Sequence, residues 1–293
     1  MADIKGIIPA MVTPLNDQEE LDEAALRRLV NYLIERGVHG LFPVGSQGEF
    51  YALSPEEKQR VWEIVVEEAA GRVPVCAGTG AITTRQVIEL NKIAEAAGVD
   101  AVSVLTPFFI HPTETELYDH FVAIAEATNL PVLLYNNPGR TGLNLSAGLV
   151  ARLGQHPNIV GIKDSSGDLT LILEMIRQTD DDFTVLMGRD SMIFAGLQHG
   201  IKGAIAATAN VAPALVVEIY EAFQEGDMGR ALAAQEKLLP LRSAFGLGTF
   251  PVVVKDAMNM IGVPVGPGRR PLTSLTGEAR DKLREVLEEI EAL

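Results

Sequence analysis

The 293-residue sequence contains one cysteine, Cys76, so an internal disulfide, a CxxC redox pair and a cysteine-rich zinc site are all excluded. No apolar run approaches the roughly 18 to 20 residues that a membrane-spanning helix needs. The segment Met1–Lys5 lacks the basic and apolar regions of a signal peptide. We therefore expect a cytoplasmic protein that has no membrane partner.

Basic residues are also scarce. The sequence has 24 Lys and Arg against 39 Asp and Glu, which gives a formal net charge of −15. This charge argues against nucleic acids and anionic membranes as main partners. It leaves room for an anionic small-molecule substrate, because a few local basic groups can outweigh a diffuse field. An apolar content of 47% fits a well-packed globular enzyme.

Short runs rich in Val, Ile and Ala alternate with longer amphipathic segments. We predict eight strands, near Ile7–Ala10, Gly40–Val44, Val73–Ala77, Ala101–Leu105, Pro131–Tyr135, Ile159–Lys163, Thr184–Met187 and Gly203–Ala206. Eight strands that alternate with helices are typical of an α/β protein with a (β/α)8 TIM barrel. An open doubly wound sheet is the alternative, but its dinucleotide-binding form would need a GxGxxG turn after the first strand, and none is present.

After Asn210 the pattern is purely helical. The predicted helices are Val211–Glu225, Met228–Phe245, Pro251–Ile261 and Glu278–Ala292. We therefore expect residues 1–225 to form the barrel and residues 226–293 to form a C-terminal helical extension.

Lys163 closes one of the predicted buried strands. A lysine in that place must be desolvated, paired or functional. Burial favours the neutral form of an amine, and a neutral amine is a nucleophile for carbonyl carbons. The alternative is a lysine that reaches solvent from the strand end and has no chemical role.

Other predicted strands also end in small or polar residues, as in Gly45–Glu49, Gly78–Gly80, Tyr135–Pro138 and Gly188–Asp190. The carboxyl ends of barrel strands meet at one face, which is where such barrels place their active sites. A phenol, a lysine and a small-residue loop at one face suit an imine mechanism, in which a tyrosine hydroxyl and a neighbouring Ser or Thr move protons. A metal-dependent aldolase would need clustered His or carboxylate ligands, whereas the five histidines are scattered and form no HxH or HExxH pattern. Singly, each motif has a structural explanation, such as a tight turn or a core tyrosine.

Three motifs resemble one known family, namely Gly45–Phe50 (GSQGEF), Tyr135–Gly142 (YNNPGRTG) and Gly161–Asp164 (GIKD). The chain looks like a member of the dihydrodipicolinate synthase / N-acetylneuraminate lyase family of pyruvate-dependent class I aldolases, nearly from end to end. The resemblance implies that the lysine matching Lys163 forms an imine with pyruvate, without a metal or other cofactor. It also implies a homotetramer.

The resemblance assigns further roles by position. Tyr135 relays protons, and the Gly45–Glu49 loop binds the pyruvate carboxylate through Ser46 and through the amides around Gln47 and Gly48. The backbone near Ile205 lines the same pocket, and we expect Thr79, Asp164 and Ser165 to shape it.

The sequence departs from the synthase pattern in three places. Ser46 and Gln47 replace two loop threonines, and Phe109 stands where the synthase borrows a tyrosine from a neighbouring subunit. The positions that bind feedback lysine in regulated synthases hold Pro55, Lys58, Ile82 and Gln86 here, from which we predict no inhibition by lysine.

Arg140 points back toward the synthase, because it matches a residue that binds a substrate carboxylate. The resemblance therefore implies a 4-hydroxy-tetrahydrodipicolinate synthase-like lyase that condenses pyruvate with a carboxylate-bearing aldehyde such as aspartate semialdehyde. An aldolase for 4-hydroxy-2-oxoglutarate or for a 2-keto-3-deoxy sugar acid is the alternative, followed by a dehydratase that uses the same imine. A non-enzymatic alternative is a pseudoenzyme that binds a 2-oxo acid.

Overall fold

The computed structural model describes residues 4–293 and contains a curled parallel sheet. Its strands are β1 (Gly6–Pro9), β2 (Cys76–Gly78), β3 (Ala101–Leu105), β4 (Val132–Asn136), β5 (Ile159–Asp164), β6 (Thr184–Met187) and β7 (Gly203–Ala206). The order across the sheet is β1-β7-β6-β5-β4-β3-β2, and every pairing is parallel. The predicted TIM-barrel class is confirmed, and seven of the eight predicted strands form within about three residues of the expected bounds.

The eighth strand, predicted at Gly40–Val44, does not form as a regular strand. Single parallel bridges join Phe42 to Ala10 and Leu41 to Val75, so this segment lies between β1 and β2 and closes the barrel. Pro43 has no N–H to donate to a ladder. Val44 has a φ of 60°, which is outside the extended region. The segment therefore lies where the strand was predicted, but the prediction of a regular strand was wrong.

Twelve helices are assigned in the described part of the chain. They are α1 (Glu23–Ile34), α2 (Pro55–Ala69), α3 (Thr84–Ala96), α4 (Glu114–Glu126), α5 (Pro138–Thr141), α6 (Ala147–Leu153), α7 (Leu169–Gln178), α8 (Ile193–Gln198), α9 (Pro213–Gln224), α10 (Met228–Ala244), α11 (Val252–Met260) and α12 (Gly277–Glu289). Ser54 and Thr113 cap α2 and α4 in capping boxes, with Glu57 and Glu116 as their partners. Within residues 4–293, none of these helices has the length and apolar character needed to cross a membrane.

Two apolar layers follow from the alternation of side chains along the strands. Ile8, Phe42, Cys76, Leu133 and Ile205 belong to the cluster inside the barrel. A larger cluster fills the space between the strands and the surrounding helices. Successive strand residues point to opposite sides of the sheet. Tyr135, two places after Leu133, therefore faces the barrel interior as well.

The C-terminal segment packs onto the rest of the barrel. Helix α10 lies mainly against α9 and also contacts α8 and α12. The division into a barrel (1–225) and a C-terminal extension (226–293) stays a prediction.

Candidate active site

A cavity of about 430 Å³ opens at the carboxyl ends of the strands. Seven residues predicted from the sequence line it, namely Ser46, Gln47, Tyr135, Arg140, Lys163, Ser165 and Ile205. The structure therefore brings together the amine, the phenol, one loop hydroxyl and one guanidinium. This volume is at the small end of the range for ligand-binding clefts.

Lys163 lies near the end of β5, where its register partner on β4 is Tyr135. Only 5% of Lys163 is exposed. Its Nζ lies 4.4 Å from the centre of the Tyr135 ring and 5.1 Å from that of Phe42. Within residues 4–293, Lys163 Nζ has no carboxylate within 4 Å and no hydrogen-bond acceptor. The amine is thus buried against aromatic faces and directed at a cavity.

One other lysine is buried within residues 4–293, namely Lys255, and its environment is different. Its Nζ donates to Glu49 Oε1 at 2.7 Å and to the carbonyl of Pro267 at 2.6 Å. Burial lowers the pKa of Lys255 and the Glu49 carboxylate acts against that effect. Lys255 therefore has an ionic partner where Lys163 has a cavity.

The Tyr135 hydroxyl is held in a polar environment. Asn137 Nδ2 donates a hydrogen bond to Tyr135 Oη at 2.9 Å. Burial by itself would raise the pKa of Tyr135, but the charge of Lys163 and hydrogen bonds from Ser46, Asn137 and Ser165 outweigh it, so the pKa is lowered. A tyrosine with a lowered pKa gives up and regains its proton more readily near neutral pH.

A buried network fixes the ends of β4 and β5. Asn136 Nδ2 donates to Asp164 Oδ2 at 2.6 Å, and Ser166 Oγ donates to Asp164 Oδ1 at 2.5 Å. Burial raises the pKa of Asp164, while these hydrogen bonds oppose the rise. Asp164 does not line the cavity. It acts on the site by holding the residues that follow Tyr135 and Lys163.

The Gly45–Gly48 loop lies at the cavity, and its backbone conformation is sterically restricted. Val44 takes a left-handed conformation, which is rare for a β-branched residue and is retained where the surrounding structure enforces it. A Cβ on Gly45 would lie 2.3 Å from Phe42 Cε1, so only glycine fits there.

The loop leaves two backbone donors unused. In the described chain, the N–H groups of Ser46 and Gln47 donate to no protein acceptor. Gln47 Nε2 donates to the carbonyl of Pro251 at 3.3 Å, and its buried Oε1 has no partner. Both residues line the cavity, so a carboxylate could accept from this loop.

Besides Asp164, three residues predicted for the site do not line the cavity. Gly48 is the last residue of the loop, and its carbonyl accepts a hydrogen bond from Thr13 Oγ1 at 2.7 Å. Thr79 is fully buried and its Oγ1 has no partner. Phe109 is 89% exposed, with a φ of 73°, on the loop before α4.

The cavity also contains residues that sequence reasoning missed. Arg242 on α10 and Phe250 before α11 come from the C-terminal segment, and Arg189 follows β6. The position of Arg189 after a strand was a usable signal, since Gly188–Asp190 was among the predicted strand ends. Nothing in the helical pattern around Arg242 indicated that it reaches the cavity.

Cys76 is buried inside the barrel, where its thiol is hard to deprotonate. Burial raises the pKa of Cys76 to about 12, although Lys163 acts in the opposite direction. A thiol of this kind is a poor nucleophile. In the described range 4–293, no group of three or more His, Cys, Asp or Glu side chains is placed to hold a metal ion.

Comparison with known proteins gives a consistent result. The family model described as the dihydrodipicolinate synthetase family matches residues 3–290. A 4-hydroxy-tetrahydrodipicolinate synthase of Methanopyrus kandleri is 42% identical over 289 residues, which cover 98% of this chain and 96% of the relative.

Solved structures agree with this assignment. Dihydrodipicolinate synthase DapA-2 of Bacillus anthracis is 39% identical with a TM-score of 0.95, and the match covers 98% of this chain and 99% of that one. The chloride-inhibited dihydrodipicolinate synthase of Acinetobacter baumannii, solved with pyruvate, is 37% identical with a TM-score of 0.96 and coverage of 99% and 100%. The chain therefore belongs to the dihydrodipicolinate synthetase family.

Proposed function

We propose that this protein is a pyruvate-dependent lyase of the 4-hydroxy-tetrahydrodipicolinate synthase type, which condenses pyruvate with a carboxylate-bearing aldehyde such as aspartate semialdehyde. One observation carries the proposal. Lys163 is buried, has no anionic partner within the described chain and faces the cavity, whereas the second buried lysine, Lys255, is tied to Glu49. A buried amine that is not committed to an ion pair is available for bond formation.

The reaction begins when Lys163 Nζ attacks the C2 carbonyl carbon of pyruvate. The carbinolamine that forms loses water and becomes a protonated imine. Loss of a C3 proton gives an enamine, because the imine nitrogen accepts the electron pair. The enamine carbon then attacks the aldehyde carbon, the new alkoxide is protonated, and the adduct leaves Lys163 by hydrolysis or by internal displacement. No cofactor enters these steps.

Tyr135 is the residue we assign to proton transfer. Its ring lies against Lys163 Nζ, and its hydroxyl accepts from Asn137 while its own proton is free to donate. The Ser46 hydroxyl lines the same cavity and contributes to lowering the pKa of Tyr135, so we assign Ser46 as the second member of the relay. Tyr135 and Ser46 transfer the proton needed for loss of water from the carbinolamine and then the proton removed from C3.

The substrates occupy different sides of the cavity. The unused N–H groups of Ser46 and Gln47 suit the pyruvate carboxylate. Arg140 lies at the exposed rim, with its guanidinium 4.5 Å above the Phe250 ring, and suits the carboxylate of the aldehyde.

Borohydride trapping tests the imine. The protein is incubated with pyruvate and borohydride, and the adduct is located by intact-mass and peptide mass spectrometry. We expect one reduced pyruvyl group on Lys163, none in the Lys163→Ala variant, and none on Lys255. Folded protein that gives no adduct on Lys163 would exclude the proposal and would favour the pseudoenzyme that binds a 2-oxo acid.

An aldolase for 4-hydroxy-2-oxoglutarate or a 2-keto-3-deoxy sugar acid is the second candidate. It is favoured by Phe109, which supplies no hydroxyl at the position where the synthase uses a tyrosine, and by Gln47 in the pyruvate loop. Both activities pass through the same imine, so trapping does not separate them. Steady-state rates of condensation with aspartate semialdehyde and of cleavage of 4-hydroxy-2-oxoglutarate do.

We also propose that the protein is a cytoplasmic homotetramer. The exposed Phe109 and the half-exposed Ile110 form an apolar loop outside the cavity of their own chain, which suits a contact with another subunit. Light scattering after size-exclusion chromatography should give four times the mass of the chain. A monomer at micromolar concentration would contradict this assignment.

A further inference from the structure

Three guanidinium groups line the cavity of a protein whose net charge is −15, namely those of Arg140, Arg189 and Arg242. Elsewhere on the surface, arginines such as Arg60 and Arg230 are paired with glutamates. Among residues 4–293, none of the three cavity arginines donates a side-chain hydrogen bond or has a carboxylate within 4 Å. Unpaired arginines gathered at one cavity in an acidic protein suit the binding of an anionic ligand.

The guanidinium of Arg189 lies beside Gly167. Arg189 follows β6 and is half-buried. A Cβ on Gly167 would lie 3.0 Å from Arg189 Nε, and the φ of Gly167 is 78°. The turn at Gly167 therefore leaves room for the guanidinium to lie across the backbone beside the cavity.

Arg242 reaches the same place from the C-terminal segment. It is half-buried near the end of α10, with its guanidinium carbon 5.2 Å from the centre of the Phe245 ring. Burial lowers the pKa of Arg242, the charge of Arg189 lowers it further, and Asp190 opposes both. Both cations line the same cavity, and an anion bound there would offset their mutual repulsion.

Arg189 lies on the other side of Lys163 from Arg140, and α10, which carries Arg242, packs on the Asp190–Met192 segment next to Arg189. Lys163 is on β5, Arg140 follows β4 and Arg189 follows β6, and the sheet order is β4-β5-β6. Arg140 is exposed at the rim, whereas Arg189 and Arg242 are half-buried.

We propose that Arg189 and Arg242 form an inner anion subsite that holds a carboxylate or phosphate group at the end of the acceptor aldehyde remote from its carbonyl carbon. This inference rests on the proposed function and deepens it by naming the substrate class. Arg140, at the rim, then guides the anionic aldehyde into the cavity, and the inner pair holds it while the enamine attacks.

The same geometry disfavours an ammonium group at the inner subsite. Among residues 4–293, Asp190 is the one carboxylate that lines the cavity, and its Oδ2 already accepts the N–H of Thr208 at 2.7 Å. Its charge also offsets that of Arg242. The Arg189–Arg242 pair therefore suits the anionic end of the aldehyde, and the ammonium of aspartate semialdehyde would have to lie outside that pair.

Acceptor kinetics with four aldehydes test the subsite, with pyruvate saturating. Butanal is neutral, succinic semialdehyde ends in a carboxylate, glyceraldehyde 3-phosphate ends in a phosphate, and aspartate semialdehyde carries an ammonium beside its carboxylate. In Arg189→Gln and Arg242→Gln, kcat/KM for the preferred anionic aldehyde should fall by about tenfold or more, mainly through KM. The rate with butanal should stay within about twofold. The aldehyde that loses most identifies carboxylate or phosphate as the group that binds.

Direct binding gives a second readout that needs no turnover. Calorimetric titration of the pyruvate-loaded protein with succinate and with inorganic phosphate should show about tenfold weaker binding of one of them in the Arg189→Gln, Arg242→Gln double variant. Arg189→Lys should restore part of the affinity. Arg85→Gln, which changes an exposed arginine on α3, is the matched control and should behave as the wild type.

The outcomes separate the subsite from the reaction. Equal losses with neutral and anionic aldehydes, or unchanged anion binding in the double variant, would overturn the subsite while pyruvyl trapping on Lys163 stayed intact. Absence of trapping in the wild type would instead overturn the reaction. Thermal melting of each variant shows whether any loss comes from unfolding.

Discussion

The two sides of the cavity are built in different ways. The side assigned to pyruvate consists of buried groups on strands and on one tight loop, with Lys163, Tyr135 and Ser46 each less than one tenth exposed. The side assigned to the aldehyde consists of arginines on α5, on the loop after β6 and on α10, all of them half-buried or exposed. The chemistry is thus held rigidly by the barrel, and the selection of the second substrate is left to residues that can change without disturbing the core.

The charged and titratable groups also differ between the two sides of the cavity. Burial and a nearby amine shift the pKa of Tyr135, and burial raises that of Asp164. On the aldehyde side, Arg140, Arg189 and Arg242 have no carboxylate within 4 Å among residues 4–293. Substitutions on the first side should therefore affect bond-making steps, and substitutions on the second should affect which aldehyde is used.

The largest effect is expected for Lys163→Ala. Without the amine no imine can form, so kcat/KM should fall on the order of 10⁴-fold or more with every aldehyde. Stopped or continuous assays with several aldehydes measure the loss. Lys202→Ala changes an exposed lysine just before β7 and is the matched control. A loss confined to one aldehyde would contradict the division of the cavity into two sides.

Tyr135→Phe should lower kcat by about 10² to 10⁴-fold, because it removes one proton-transfer group and leaves the ring in place. The pKa of Tyr135 is lowered, so deprotonation of the hydroxyl begins below the ordinary tyrosine range. Activity of the wild type should therefore decline on the alkaline side at a pH below about 10. The variant should lack this decline. A pH profile of kcat/KM that keeps the same alkaline limb in Tyr135→Phe would remove Tyr135 from the relay.

Lys255→Ala tests how the C-terminal segment supports the pyruvate loop. The Lys255–Glu49 pair is almost wholly buried, and Glu49 Oε2 also accepts the N–H of Arg269 at 2.9 Å. Removing only the amine leaves a buried carboxylate, so the free energy of unfolding should fall by about 3 to 5 kcal/mol. Denaturant melts measure this loss.

The double variant Glu49→Gln, Lys255→Met provides the control for that prediction. It removes both charges, so it should lose less stability than Lys255→Ala. If Lys255→Ala cost less than about 1 kcal/mol, the pair would contribute little to the link between α11 and the loop.

The contrast between the pyruvate side and the aldehyde side also explains which site residues could be predicted from the sequence. Strand ends are local signals, so Lys163, Tyr135 and the Gly45–Gly48 loop were found from short motifs. Arg242 was missed because it reaches the cavity through the packing of α10, which no local pattern encodes. The strand at Gly40–Val44 was over-predicted, since an apolar run does not show that Pro43 and Val44 interrupt it. Thr79 was placed at the cavity from its position after a strand, but its side chain is buried away from the lining residues.

Arg140→Ala should have a moderate effect that is confined to the aldehyde. The guanidinium is exposed and stacks on Phe250, so its loss should raise KM for an anionic aldehyde by about tenfold and leave KM for pyruvate within twofold. The effect should weaken at high salt, because an exposed charge is screened. Initial rates at two salt concentrations check this, and an equal rise in KM for pyruvate would place Arg140 on the pyruvate side instead.

The smallest expected effect is that of free lysine, which should not inhibit. Pro55, Lys58, Ile82 and Gln86 line one separate cavity of about 360 Å³, so the positions considered for feedback do come together. Burial lowers the pKa of Lys58, whose Nζ lies 5.9 Å from the centre of the Phe50 ring, and a bound lysine would add a second amine there. Glu89 also lines this cavity, but its carboxylate is 3.8 Å from Arg85 Nε.

Initial rates with low-millimolar L-lysine should therefore match those without it. The variant Lys58→Ala sharpens the test, because it removes the like charge and leaves the apolar wall. If repulsion by Lys58 is the cause, weak inhibition should appear in the variant and be absent in the wild type. Inhibition of the wild type would show that this cavity accepts lysine despite Lys58, and that a site remote from both sides of the active cavity controls the reaction.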